Sequence, residues 1–121
     1  MTHNDLLNTI KTQPEHVEFD QVINTINQHY TYSPTRFTNG VDGDIVINEV
    51  GTNEGSCKIF AFAQLNQLNK EETLACFGHY YRDDVLANPQ GSDHGNIRRF
   101  MQYGWDGIHF DSQALVSQSS N

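Results

Sequence analysis

The sequence predicts a mainly α, compact single domain of about five helices around a buried central one, with at most a small β element. Three observations carry this. The run Ile59-Phe60-Ala61-Phe62-Ala63, with Leu65, is apolar nearly all round, as a helix enclosed by others must be. Other segments hold their apolar residues on a single stripe at helical spacing. Residues 37–55, by contrast, are broken by Asn39-Gly40, Asp42-Gly43, Gly51 and Gly55 around one β-rich run, Ile45-Val46-Ile47.

Taken in chain order, Asn4 caps a short first helix with Leu6, Leu7 and Ile10 on one face, ending near Lys11 ahead of Pro14. The second helix places Phe19, Val22, Ile23, Ile26 and Tyr30 on one stripe and leaves Asp20, Asn24 and Asn27 outside. Pro34 pushes Ser33 out of the helical region and ends it. Residues 37–55 read as loop with a short hairpin. Asp42, Asp44 and Asn48 there do not make a calcium loop, because the ligand alternation breaks at Val46 and the sharp-turn glycine is missing from its place.

The central helix starts between Asn53 and Cys57, capped by Asn53 or Ser56, and runs to about Leu68. Asn69 and Glu72 fit a capping box opening the fourth helix, which carries Leu74, Phe77, Tyr81 and Val85, admits a break near Arg82 and stops by Asn88-Pro89. Ser92 or Asp93 caps the fifth, whose apolar face is Ile97, Phe100 and Met101. Gly104 supplies a left-handed stop, so Trp105 packs back near Phe100. Ile108 and Phe110 give a short extended segment. From Ser112 the chain is Ser and Gln with little apolar content, so the domain is expected over residues 1–111 and a flexible polar tail over 112–121.

Charge narrows the function classes. Seven Lys and Arg against fifteen Asp and Glu give a net charge of -8, and the cations form no stripe. Nucleic acid is excluded as a partner, because binding to a phosphate backbone comes from cations displacing counterions. Attachment to an anionic membrane surface fails for the same reason. The longest apolar run, 59–63, falls far short of a bilayer span, so no membrane insertion is expected. Residues 1–5 lack the basic start and apolar stretch of an export signal, and two cysteines suggest a reduced protein; the expected compartment is the bacterial cytoplasm.

The most informative segment for chemistry is Asn53-Glu54-Gly55-Ser56-Cys57-Lys58-Ile59-Phe60-Ala61-Phe62. A cysteine in the first turn of a buried helix meets unpaired N–H groups and the positive end of the dipole, both favouring thiolate. Gly-Ser-Cys before an aromatic helix also resembles, over about ten residues, the nucleophile segment of papain-like cysteine proteases. A cysteine hydrolase or acyltransferase then needs a base: His79, His94 and His109 are the candidates, with Asp93, Asp106 or Asn96 to orient one. The plainer reading makes Cys57 a small buried residue beneath the core helix. Cys76 and His79 have a metal-ligand spacing, yet no second pair closes a tetrahedral site, so neither metal nor cofactor is expected.

Several stretches together are similar to one family. They are Tyr32-Ser33-Pro34-Thr35, Phe37-Thr38-Asn39-Gly40, Gly51-Thr52-Asn53-Glu54-Gly55-Ser56-Cys57-Lys58-Ile59-Phe60-Ala61-Phe62-Ala63, Leu74-Ala75-Cys76-Phe77-Gly78, Tyr80-Tyr81-Arg82-Asp83-Asp84-Val85, Ser92-Asp93-His94 and Gly104-Trp105. Over about residues 17–111 the chain resembles the HopJ type III effector family of small bacterial proteins. The resemblance implies delivery into a host cell, although the acidic residues Asp5, Glu15, Glu18 and Asp20 are unlike the Ser-rich, acid-poor start of such signals. It brings no catalytic residues with it. Two readings follow: an effector-like domain acting on an unidentified protein partner by binding, and a small cysteine-dependent enzyme using Cys57.

Overall fold

The computed structural model describes residues 2–118 and has an α+β architecture. Helices α1 (His3–Thr12), α2 (Phe19–His29), α3 (Glu54–Leu65), α4 (Lys70–Ala75) and α5 (Gly95–Tyr103) are joined by a π-helical stretch, Tyr80–Val85, and by short 3-10 turns. Strands β1 (Tyr30–Tyr32), β2 (Phe37–Val41), β3 (Asp44–Asn48), β4 (Ile108–Phe110) and β5 (Leu115–Ser117) form two antiparallel sheets, ordered β1-β5 and β3-β2-β4. This overturns the expected mainly α class with at most a small β element. The strands are only three to five residues long, and the inner face of the hairpin is partly polar, so no apolar alternation was there to announce them.

The hairpin follows from its turn. Asp42-Gly43 links Val41 to Asp44, Gly43 has a φ of 86°, and the pairing runs from there to Phe37 opposite Asn48. β4 lies on the other side of β2, with Phe37 opposite Phe110 and their rings stacked at 5.3 Å. Residues 115–117, within the stretch expected to be a polar tail, pair with β1: Leu115 lies opposite Tyr32 and is fully buried. Backbone pairing and a single anchored leucine hold this segment although its composition is polar. Residues 119–121 of that stretch lie outside the described residues.

Helix α3 is the buried centre, where Ile59, Phe60, Phe62 and Ala63 meet no solvent. Its last residue, Leu65, is 48% exposed, so the enclosure ends at Ala63, two residues before the helix does. Phe60 touches Phe37, Phe77, Phe100 and Trp105, joining the sheet to α5 through one aromatic cluster. Trp105 packs edge-on to Phe100 at 5.0 Å as expected, although Gly104, with φ 61° and ψ -148°, ends α5 in a glycine conformation other than the left-handed helical one.

Caps differ more. α1 is capped by Thr2 with Asp5 in a reciprocal box, not by Asn4. Asn69 and Glu72 do form theirs. α4 ends at Ala75, well before Arg82, because Gly78 turns back with a φ of 58° directly against the Phe19 amide at the start of α2.

Candidate functional site

Cys57 is the fourth residue of α3, and its N–H donates to the Asn53 carbonyl at 3.0 Å. It therefore lies one position beyond the unpaired first-turn donors expected around it. Its side chain is 1% exposed, and burial raises the thiol pKa, an effect only partly opposed by bonds from the Tyr32 hydroxyl and the Thr35 backbone. The Tyr32 hydroxyl also donates to Glu54 Oε2 at 2.9 Å, and the Lys58 ammonium sits 4.8 Å from the Tyr32 ring centroid. Cys76 is buried as well, raised strongly by desolvation and the nearby Glu72 carboxylate.

The three candidate histidines are not gathered around Cys57. His79 is exposed, its ring tilted against that of Tyr80 at 4.2 Å. His109 stands on the outer face of β4 beside Thr38. His94 hydrogen-bonds Asp84 through Nε2 at 3.1 Å and lies 5.5 Å from the Tyr80 ring. Its orienting carboxylate is thus Asp84, while Asp93, at 3.8 Å, is held by Arg98 at 2.8 Å. That arginine keeps the Asp93 carboxyl below its usual range and leaves α5 without an Asp93 cap. Among the described residues no histidine hydrogen-bonds the Cys57 thiol.

What the structure does assemble is a cleft of about 240 Å³ where α3 and α5 begin. Phe19, Phe77 and Tyr80 wall one side; Asn53, Gly55, Ser56, His94, Asn96 and Ile97 form the rest. Neither helix has a side chain capping its first-turn donors among the described residues, so the N–H groups of residues 54–56 and 95–97 start from this cleft uncapped. Both residues preceding these helices are left-handed: Asn53 has a φ of 49° and His94 a φ of 52°. Such a conformation is uncommon outside glycine and has to be held by its surroundings.

A buried asparagine cluster does the holding. Asn96 donates to Asn48 Oδ1 at 2.8 Å, and Asn53 donates to the same oxygen at 2.7 Å. Asn39 donates to the Asn96 carbonyl at 2.8 Å and to its Oδ1 at 3.0 Å. The hairpin thereby fixes the starts of two helices far apart in sequence. Sequence reasoning gave Asn39, Asn48 and Asp84 no place in this site, weighing Asn48 only as a rejected calcium ligand; the available signal was two asparagines recurring in the inward phase of a hairpin, where an apolar residue belongs. Chemically the cleft offers uncapped backbone donors, an imidazole paired to a carboxylate and aromatic walls, a set suited to a group bearing hydrogen-bond acceptors.

The fold and site define a class: a small α+β domain whose central cysteine-bearing helix starts at an open cleft with its thiol sealed behind it. The chain belongs to the HopJ type III effector protein family, whose model matches residues 3–115. It is also similar to the crystal structure of "unknown function protein VPA0580", at 46% identity and a TM-score of 0.92, over 98% of this chain and 95% of that one. No curated protein matches. No helix among the described residues is long and apolar enough to cross a membrane.

Proposed function

We propose that the domain acts by binding another protein, and that the α3–α5 cleft receives an acceptor-bearing group of that partner, a backbone carbonyl or a carboxylate. The observation that carries this is the meeting of two uncapped helix starts in one aromatic-walled cleft. Membership of a type III effector family supports looking for the partner in a host cell. The competing reading, a cysteine hydrolase or acyltransferase, needs the Cys57 thiolate within reach of a histidine base. Burial of that thiol, and the separate stations of His79, His94 and His109, support binding over chemistry.

Affinity capture from host-cell extract, read by mass spectrometry, tests this with two variants whose folding is checked by thermal unfolding. Ser56→Phe fills the cleft and is expected to weaken retention of the captured protein by about tenfold or more, roughly 1.4 kcal/mol. Cys57→Ser should retain it. Retention unchanged by Ser56→Phe but lost with a folded Cys57→Ser protein reverses the assignment in favour of the cysteine.

A further inference from the structure

The sheet ordered β3-β2-β4 ends on one side at β3, which has no neighbouring strand among the described residues. Natural edges are blunted by lysine, proline, a bulge or extreme shortness. β3 has no lysine, proline or bulge, since it runs Asp44-Ile45-Val46-Ile47-Asn48 and pairs with β2 one-to-one; its single charge, Asp44, is drawn toward α5 by Arg99 at 3.0 Å and Tyr103 at 2.8 Å. Val41 and Asp44 close a two-residue turn and so form a hydrogen-bonded pair, from which the pairs alternate. The N–H and C=O groups of Ile45 and Ile47 therefore point away from β2, toward the free edge.

The same two residues carry the exposed apolar surface. Ile45 is 45% exposed and Ile47 54%, two positions apart on the same face of the strand. Their cross-strand neighbours are the buried Gly40 and the half-buried Thr38, so the exposure of this face falls on β3, the outermost strand. An unpaired ladder and a contiguous apolar strip at one edge are the two elements by which a sheet accepts an added strand.

Charge selects the occupant. Asp42 and Asp44 lie at one end of β3 and Glu49 at the other; Arg99 is engaged by Asp44 at 3.0 Å, and Arg36 by Glu49 at 3.5 Å and Asp111 at 3.6 Å. A second copy paired across the edge would bring the same acidic ends together, between chains each carrying a net charge of -8. An extended segment with basic ends meets the opposite situation. The opposite, inner face of the strand is covered by α5: a Cβ on Gly95, at the start of that helix, would lie 3.7 Å from the Val46 side chain. We propose that the free edge of β3 takes up an extended segment of the protein partner as an added strand, with apolar residues at alternate positions and Lys or Arg at its ends. This rests on the protein-binding reading and names a second contact for the same partner.

The probe is a short peptide of alternating valine and threonine with lysines at both ends, titrated into the ¹⁵N-labelled full chain. Binding is expected to shift the Ile45 and Ile47 amides and slow their hydrogen exchange, and glutamates in place of the lysines should weaken it by about tenfold or more. Ile47→Pro removes one edge donor without breaking the β2 ladder and is expected to abolish binding. Ile47→Lys, a milder surface change, should do so by repulsion and guards against misfolding of the proline variant. Shifts confined to the cleft, equal affinity for the acidic peptide, or a β3-mediated dimer in sedimentation would each overturn the proposal. Capture from host-cell extract is run in parallel. Retention unaffected by Ile47→Pro and Ile47→Lys refutes the edge alone, whereas no retention by the wild type refutes the binding reading with it.

Discussion

At Cys57 two opposing influences can be ordered by their size. A place near the N-terminus of α3 favours thiolate, but removal from water disfavours it and is the larger effect. Cys76 has burial and a carboxylate acting in the same direction. Both thiols therefore hold their protons in the folded state above the ordinary thiol value of 9.0. The sign of the linkage follows: their contribution to stability is complete below 9.0 and is lost as pH rises toward the folded values. Denaturant unfolding at increasing pH should show wild type losing stability through this range, and a Cys57→Ala, Cys76→Ala protein losing less of it. Alkylation of the native protein should proceed only through opening of the fold. Rapid native labelling of Cys57 would mean that the thiol is accessible.

At the scale of elements, the β2–β3 hairpin depends on a glycine at a position where no side chain fits. Gly40 has a φ of 125°, and a Cβ there would lie 2.0 Å from the Asp44 carbonyl oxygen, which is backbone and cannot swing aside. Gly43, in the turn itself, has a φ of 86° but open space around it. Gly40→Ala is therefore expected to cost about 2 to 3 kcal/mol, combining clash with strain, and Gly43→Ala only about 1 to 2 kcal/mol. Equal losses in denaturant unfolding would show that conformation alone, and not the close approach, decides both. The hairpin matters beyond itself, since Asn39 and Asn48 position the starts of α3 and α5 from it.

For the whole molecule, the core reaches across nearly the entire described chain, from Leu6 in α1 to Leu115 in β5. β5 closes the sheet on β1, and Ser33 N–H donates to the Ala114 carbonyl at 2.8 Å. Leu115→Ala should cost about 2 to 5 kcal/mol, as truncation of a buried leucine does, with the transition remaining cooperative. The exposed Val116→Ala, as a control on the same strand, should stay within about 0.5 kcal/mol. A loss at Leu115 no larger than that at Val116 would mean the segment contributes nothing to the fold.

The sequence by itself determined which helix is central and where most of the others start, though not that the fourth ends at Ala75. The all-round apolar run at Ile59, Phe60, Phe62 and Ala63, the Asn69–Glu72 box and the Gly104 stop are local patterns, and local patterns settle helices because their bonds close within a few residues. The family was legible too, from motif stretches the sequence displays directly. The sheets were not: Tyr30 pairs with Ser117 and Thr38 with His109, contacts between short segments that no spacing along the chain encodes. The cleft was legible only in pieces. Ser56 and His94 were singled out, but as possible nucleophile-helix cap and base, since sequence cannot say that Cys57 turns inward while its helix start turns outward. Tertiary packing decided that, by burying the thiol behind α3, giving His94 to Asp84, and using inward-facing asparagines to bring two distant helix starts to one opening.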